Sequence, residues 1–219
     1  MGCAMRSGLG LPVQVLCDFD GTVTEKNVME FIAIRFAGSG DKYSQAWDRG
    51  ELTTPDEFRL TFATINASLH EMEAALEEVA FDESIAQFVR ACQQRSYEFA
   101  ILSDGLGWYI EYILARAGVG DVFLYANTVW EREGKFEFEF PWHSDETPRL
   151  ATCKPAIVRS IKEQGKGIIY IGDGPSDFDA VKYADVIYAK PKLAAYCREH
   201  GHAYQPFSTF SDIIAHWQG

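Results

Sequence analysis

An α/β fold built on a parallel sheet is predicted by two features of this chain. Short apolar runs of strand length stop at polar, Gly- or Pro-containing turns, and segments with apolar residues every three or four positions separate them. Strands alternating with helices imply βαβ units, whose helices cover both faces of the sheet.

Val13–Cys17 runs into Asp18-Phe19-Asp20-Gly21-Thr22 and reads as a buried strand ending in a turn. The run 97–102 ends at Ser103-Asp104-Gly105, 168–171 at Gly172-Asp173-Gly174, and Val186–Ala189 at Lys190-Pro191. Helical periodicity covers 83–95, 108–117, 155–163 and 193–200. Two stretches break the alternation. Residues 25–79 carry only helix-period segments, at Val28–Phe36, 55–65 and 71–79, and form an inserted helical subdomain; residues 11–24 and 80–219 form the core. Thr54 before Pro55, with Glu57 three residues on, has the residue types of a capped helix start. The second exception, 128–140, is two alternating runs divided at Arg132-Glu133-Gly134-Lys135, a β-hairpin turning at Gly134.

At 219 residues the chain accommodates one core domain and a smaller insertion, and 47% hydrophobic residues supply ample material to bury. A net charge of -12 argues against nucleic acid and an anionic membrane surface as partners. The five cysteines, Cys3, Cys17, Cys92, Cys153 and Cys197, form no CxxC pair and read as reduced thiols of a cytoplasmic protein. Residues 1–11 hold no apolar run of signal-peptide length, and Arg6 stands where a myristoylation motif starting at Gly2 wants Ser or Thr. A soluble, unanchored protein is expected.

In open parallel sheets the binding crevice lies beyond the carboxyl ends of the strands. Asp18, Asp20, Ser103, Asp104, Asp173 and Asp177 all follow apolar strands and converge on that edge. Asp18 and Asp20, two apart in extended geometry, point the same way with Phe19 opposite. Carboxylates so close repel by roughly 4 kcal/mol per pair at about 4 Å with an effective dielectric near 20. The cluster needs a cation, and oxygen-only ligands suit Mg²⁺, which leaves room for a phosphate oxygen. Lys154 adds positive charge, and Ser103 ahead of a helix offers a hydroxyl and nearby N–H groups to a phosphate.

Asp18-Phe19-Asp20-Gly21-Thr22-Val23-Thr24, Ser103, Lys154 and Gly172-Asp173-Gly174-Pro175-Ser176-Asp177 resemble the four ordered motifs of haloacid dehalogenase superfamily phosphatases. The insertion is similar to the helical cap of the phosphoserine phosphatase branch. Phe140-Pro141-Trp142-His143-Ser144 and Thr152-Cys153-Lys154-Pro155 look most like the methionine-salvage phosphatases, which act on a hydroxy-keto-methylthiopentenyl phosphate.

The resemblance implies a Rossmann-like parallel core with a small helical cap, and a Mg²⁺-dependent phosphatase acting on a small phosphorylated metabolite. Asp18 is then the nucleophile that becomes phosphorylated, and Asp20 is the general acid and base. Mg²⁺ is held by Asp18, Asp173 and the main-chain carbonyl of Asp20; Lys154, Ser103, Asp104 and Gly105 face the phosphate. Asp177, Thr22 and Ser176 stand behind them. Asp104 departs from the Gly usual in this branch, and Ser176 from the Asn found in many members. By the same resemblance, the glutamate and arginine that bind phosphoserine's charged groups align with Asn27 and Thr61, with Arg59 two residues away on another helical face.

Several residues carry a second reading. Ser103 alone reads as a helix cap, Lys154 as a surface lysine, and Asp104 as a hydrogen-bond partner behind the phosphate. His143 and Trp142 read either as loop structure or as substrate contacts, and Phe31, Phe36, Phe58 and Phe62 as core of the insertion. The motifs leave open hydrolysis, transfer of the phosphoryl group to an alcohol, and phosphoserine as substrate. A catalytically silent binding module is disfavoured because every motif carboxylate is present.

Overall fold

A computed structural model describes residues 12–218. The readings placed on Gly2, Cys3, Arg6 and the core boundary at Leu11 lie outside that range. Seven strands form one sheet in the order β4-β3-β2-β1-β5-β6-β7, parallel except for the β3–β4 pair.

β1 (Val13–Cys17) sits at the centre, between β2 (Tyr97–Leu106) and β5 (Gly167–Gly172), with Val15 in register with both Phe99 and Ile169. Alternate side chains of a strand point to opposite faces. Val15 and Cys17 therefore enter a core shared with α5 (Ile85–Gln94), α6 (Gly107–Arg116) and α9 (Phe210–Gln218). Leu16 enters a second core, packed by α7 (Lys154–Glu163) and α8 (Pro191–Glu199). From β1 the chain proceeds to β2 and β3 on one side, and later to β5, β6 (Val186–Ala189) and β7 (Gln205–Pro206) on the other. The strand order reverses at β1, and the crevice opens there.

The insertion contains α1 (Val28–Phe36), α2 (Lys42–Asp48), α3 (Thr54–Phe62) and α4 (Leu69–Leu76). α2 had no sequence signal, because only Ala46 of its seven residues is buried and no apolar stripe results. α9, absent from the helices expected above, does carry one: Phe210, Ile213, Ile214 and Trp217 recur at helical spacing. Phe210 and Trp217 each lie 5.1 Å, ring to ring, from Phe88 of α5.

Two boundaries differ from expectation. β2 does not stop before Ser103 but runs to Leu106 through an irregularity, since Leu102 pairs with Tyr125 and Leu106 with Asn127. Four steps on β2 thus face two on the neighbouring strand, and the excess bulges Ser103-Asp104-Gly105 outward. The cap of α3 is Thr53, whose hydroxyl accepts from the Asp56 N–H, which leaves Thr54 free for another bond. β3 (Phe123–Arg132) pairs in parallel with β2, then continues into an antiparallel hairpin with β4 (Lys135–Glu139). Glu133 and Gly134 turn with φ of 51° and 71°, as a tight two-residue hairpin requires. The hairpin lays Phe136 and Phe138 edge-on against Phe62, at 5.0 and 5.2 Å. Phe58 and Phe62 are buried there, whereas Phe31 and Phe36 are partly covered.

Candidate active site

Asp18 and Asp20 follow β1, Ser103 to Gly105 lie in the bulge of β2, Lys154 opens α7, and Asp173 and Asp177 follow β5. Asp18, Asp20, Ser103, Asp104, Gly105, Asp173 and Ser176 line one cleft of about 390 Å³ between the sheet edge and the inserted helices. Lys154, Asp177 and Thr22 are fully buried beneath it.

Lys154 has no exposed surface, and its ammonium donates to Asp177 at 2.8 Å and Ser176 at 3.0 Å while pairing with Asp18 at 2.9 Å. Burial works against its charge, but Asp177 and Asp18 outweigh that and hold the ammonium protonated beyond its ordinary range. All three N–H groups are engaged, so a phosphate oxygen reaches Lys154 only by displacing an acceptor. Asp177 is saturated too. It accepts from Lys154 and Tyr170 on one oxygen and from the N–H groups of Asp173 and Gly174 on the other. Gly172 has to be Gly because a Cβ there would strike the Asp177 carboxylate.

The Asp18 carboxyl is raised well above the carboxylate range by burial and by Asp177, against the pull of Lys154. Asp173 is pushed up to about 6, first by burial and then by Asp177. Carboxylate oxygens of Asp18, Asp173 and Asp177 lie within 4.8 Å of one another. Because Asp177 has spent both its oxygens, Asp18 and Asp173 are the members left to bind a cation. Asp173 has one weak side-chain contact, from Thr22 at 3.4 Å. Gly21, at φ +77°, makes room for it, since a Cβ there would sit 2.6 Å from its oxygen. Lys190 fastens this loop by donating to the carbonyls of Gly21 and Thr22 at 2.9 and 3.0 Å.

Asp20 is held apart from that cluster. Its carboxylate accepts from the Val28 N–H at 2.7 Å and from the Tyr109 hydroxyl at 2.8 Å. Burial pushes it up to about 6 despite both bonds. A Cβ on Gly105 would fall on the Tyr109 hydroxyl, which explains glycine at that point of the bulge. Ser103 is buried, and its hydroxyl accepts the Gly105 N–H at 3.0 Å.

Asp104 joins the insertion to the core. One oxygen accepts from the Thr54 hydroxyl of α3 at 2.5 Å and the other from the Thr152 N–H at 2.6 Å, two residues before Lys154. Trp142 and His143 do not line the cleft; His143 contacts the Leu150 carbonyl at 2.9 Å, and Trp142 packs on Tyr125. Sequence reading missed Tyr109, Tyr170, Lys190 and the role of Glu57. The two tyrosines count as apolar residues in their elements, and nothing local marks which polar atom their hydroxyls meet.

Glu57 of α3 also lines the cleft, is 7% exposed, and accepts the Ser44 hydroxyl at 2.6 Å. Burial pushes its carboxyl up to about 7, the Ser44 bond opposing and Asp104, Asp48 and Asp20 adding. A carboxyl raised on folding releases its proton first in the unfolded chain, so folding loses stability as pH rises from the unfolded value near 4.5 through about 7. Glu57→Gln is expected to match the parent at pH 5 and to exceed it at pH 8 by up to about 3 kcal/mol. Urea midpoints at the two pH values check this, and a variant no more stable at pH 8 contradicts it.

Comparison with known proteins bears on the whole chain. Residues 15–182 match the sequence model of the haloacid dehalogenase-like hydrolases. A protein of Exiguobacterium sibiricum named 2-hydroxy-3-keto-5-methylthiopentenyl-1-phosphate phosphatase is 28% identical over 218 residues, covering 95% of this chain and 97% of its own. A Bacillus mycoides protein of the same name is 28% identical over 211 residues, covering 94% and 95%. A solved structure described as a phospho-aspartyl intermediate analogue of phosphoserine phosphatase superposes with a TM-score of 0.70 at 19% identity, over 94% of this chain and 98% of that one. That likeness bears out the α/β fold, and the relatives bear out the resemblance to phosphatases. With the family match spanning most of its length, the chain belongs to the haloacid dehalogenase-like hydrolases.

Proposed function

We propose that the chain is a Mg²⁺-dependent phosphatase that hydrolyses a small phosphomonoester with an uncharged, hydroxyl- or keto-bearing organic part, through a phosphoaspartyl intermediate on Asp18. The observation that carries this reading is the pairing of two buried carboxyls with different partners. Asp18 is ion-paired to buried Lys154, which favours its charged, nucleophilic form against the burial that raises it, whereas Asp20, raised to about 6, is hydrogen-bonded by Tyr109 away from the lysine, as an acid and base requires.

Asp18 attacks phosphorus, and Asp20 gives a proton to the departing oxygen and then takes one from the hydrolytic water. Ser103 and the N–H groups of the β2 bulge supply donors to the phosphoryl oxygens. Oxygen-only donors at Asp18 and Asp173 fit Mg²⁺, together with the main-chain carbonyl of Asp20. When bound, the ion offsets charge on the transferring phosphoryl group.

The organic half of the cleft supports an uncharged substrate body. Its lining includes no arginine, the charged Glu25, Lys26, Glu30 and Lys192 on it are exposed, and Asn27 spends its side-chain oxygen capping α1. Thr61 is buried, and Arg59 lies over the Phe140 ring at 5.1 Å, outside the cleft. A carboxylate thus lacks the forked donor it normally pairs with. The relatives' printed substrate, a 2-hydroxy-3-keto pentenyl phosphate, has the chemistry this lining suits and is the first compound proposed, with sugar and polyol phosphates next.

Catalytic efficiency for that compound and for L-phosphoserine, measured side by side in Mg²⁺, tests the reading. Phosphoserine is expected to be poorer by at least about tenfold. Excess EDTA is expected to stop turnover and Mg²⁺ to restore it. Phosphoserine better by tenfold, or undiminished activity in EDTA, overturns the corresponding part.

A further inference from the structure

We propose that Glu57 determines specificity in the inserted helices, its carboxyl group hydrogen-bonding one uncharged oxygen, a hydroxyl or ketone, on the organic half of the substrate. This rests on the reading of the cleft as a phosphatase site.

The inward face of α3 is the starting point. Of its six buried residues, Pro55, Phe58 and Phe62 are apolar, but Thr54, Glu57 and Thr61 are polar. A helix that puts polar residues where apolar ones stabilise it more usually does so for function. Thr54 is spent on Asp104 and Trp47, and Thr61 does not line the cleft. Glu57 does line it, with Oε1 held by Ser44 and Oε2 without a hydrogen-bond partner among the described residues. Beside it stand Phe58 and Met29, both buried and apolar. A buried, oriented polar group next to buried apolar side chains is one way small-molecule sites fix an organic substrate.

The surroundings select an uncharged oxygen over an ammonium. Asp104 and Thr54 have engaged their oxygens with each other, with Thr152 and with Trp47, and Asp48 is exposed. Glu25 and Glu30 also line the cleft but are exposed. An ammonium, which brings three N–H donors, would therefore find Glu57 the one buried carboxylate with a free oxygen on this side among the described residues, and leave its other donors to the solvent-facing rim. A ketone or hydroxyl needs the single bond that Glu57 offers. With its carboxyl raised to about 7 by burial, Glu57 carries a proton to donate over part of the neutral range.

The experiment compares the full-length parent, Glu57→Gln and Glu57→Leu on three Mg²⁺-supplemented substrates: a 2-hydroxy-3-ketoalkyl 1-phosphate, pentyl phosphate and p-nitrophenyl phosphate. Glu57→Leu is expected to lower kcat/KM for the first by about 100-fold, chiefly through KM, and to leave the other two within about threefold. Glu57→Gln, which still donates and accepts, is expected to stay within about fivefold of the parent on all three. Equal loss on all three in Glu57→Leu makes the residue structural and overturns the proposal. So does a Gln variant as poor as Leu with an aminoalkyl phosphate as the better substrate, because that assigns an ammonium partner. Calorimetric binding of the non-hydrolysable hydroxyketoalkyl phosphonate separates the two readings. If the parent turns over none of the phosphates yet binds the phosphonate about 100-fold more tightly than Glu57→Leu, the phosphatase reading fails while the Glu57 contact stands. Equal phosphonate binding by both proteins overturns the Glu57 contact whatever the turnover.

Discussion

Asp18→Asn is expected to lose roughly four orders of magnitude or more in kcat while keeping its fold. The amide is nearly isosteric but cannot attack phosphorus, and it removes the charge that faces both Lys154 and the Asp173 carboxylate. The fold is expected to persist because Lys154 keeps Asp177 and Ser176 as partners, at 2.8 and 3.0 Å. Steady-state turnover of p-nitrophenyl phosphate, with circular dichroism as the control for folding, checks it. A folded variant with a tenth of the parent's rate would remove Asp18 from the nucleophile's role.

Lys154→Met is expected to cost about 3–5 kcal/mol of stability as well as activity. Lys154 and Asp177 are wholly buried and Asp18 nearly so, and removing the cation leaves two carboxylates without it at the buried floor of the cleft. Met fills similar volume, so the loss reports charge rather than a cavity. The double variant Lys154→Met with Asp177→Asn is expected to recover part of the loss, as it removes one of the stranded charges. Urea unfolding of the three proteins measures this. A single variant within about 1 kcal/mol of the parent would show that the triad does not hold the base of the site together.

Much of this protein was legible locally. β1, β6 and α1 lie where their patterns put them, at Val13–Cys17, Val186–Ala189 and Val28–Phe36, because hydrophobic period and turn chemistry act over a few neighbouring residues. The convergence of Asp18, Ser103 and Asp173 was legible for the same reason, since parallel strands bring their carboxyl ends to one edge whatever their separation in the chain. The tertiary structure alone decided how those groups are held. Tyr109 reaches Asp20 across 89 residues, Thr54 reaches Asp104 across 50, and Lys154 disappears beneath the cleft. The same holds for the bulge that turns Ser103-Asp104-Gly105 outward, which arises from a mismatch between β2 and β3, and for the hairpin of β3 and β4 that closes over Phe62. Such contacts depend on which elements pack face to face, and a hydroxyl or carboxyl carries no local mark of the partner that packing will bring to it.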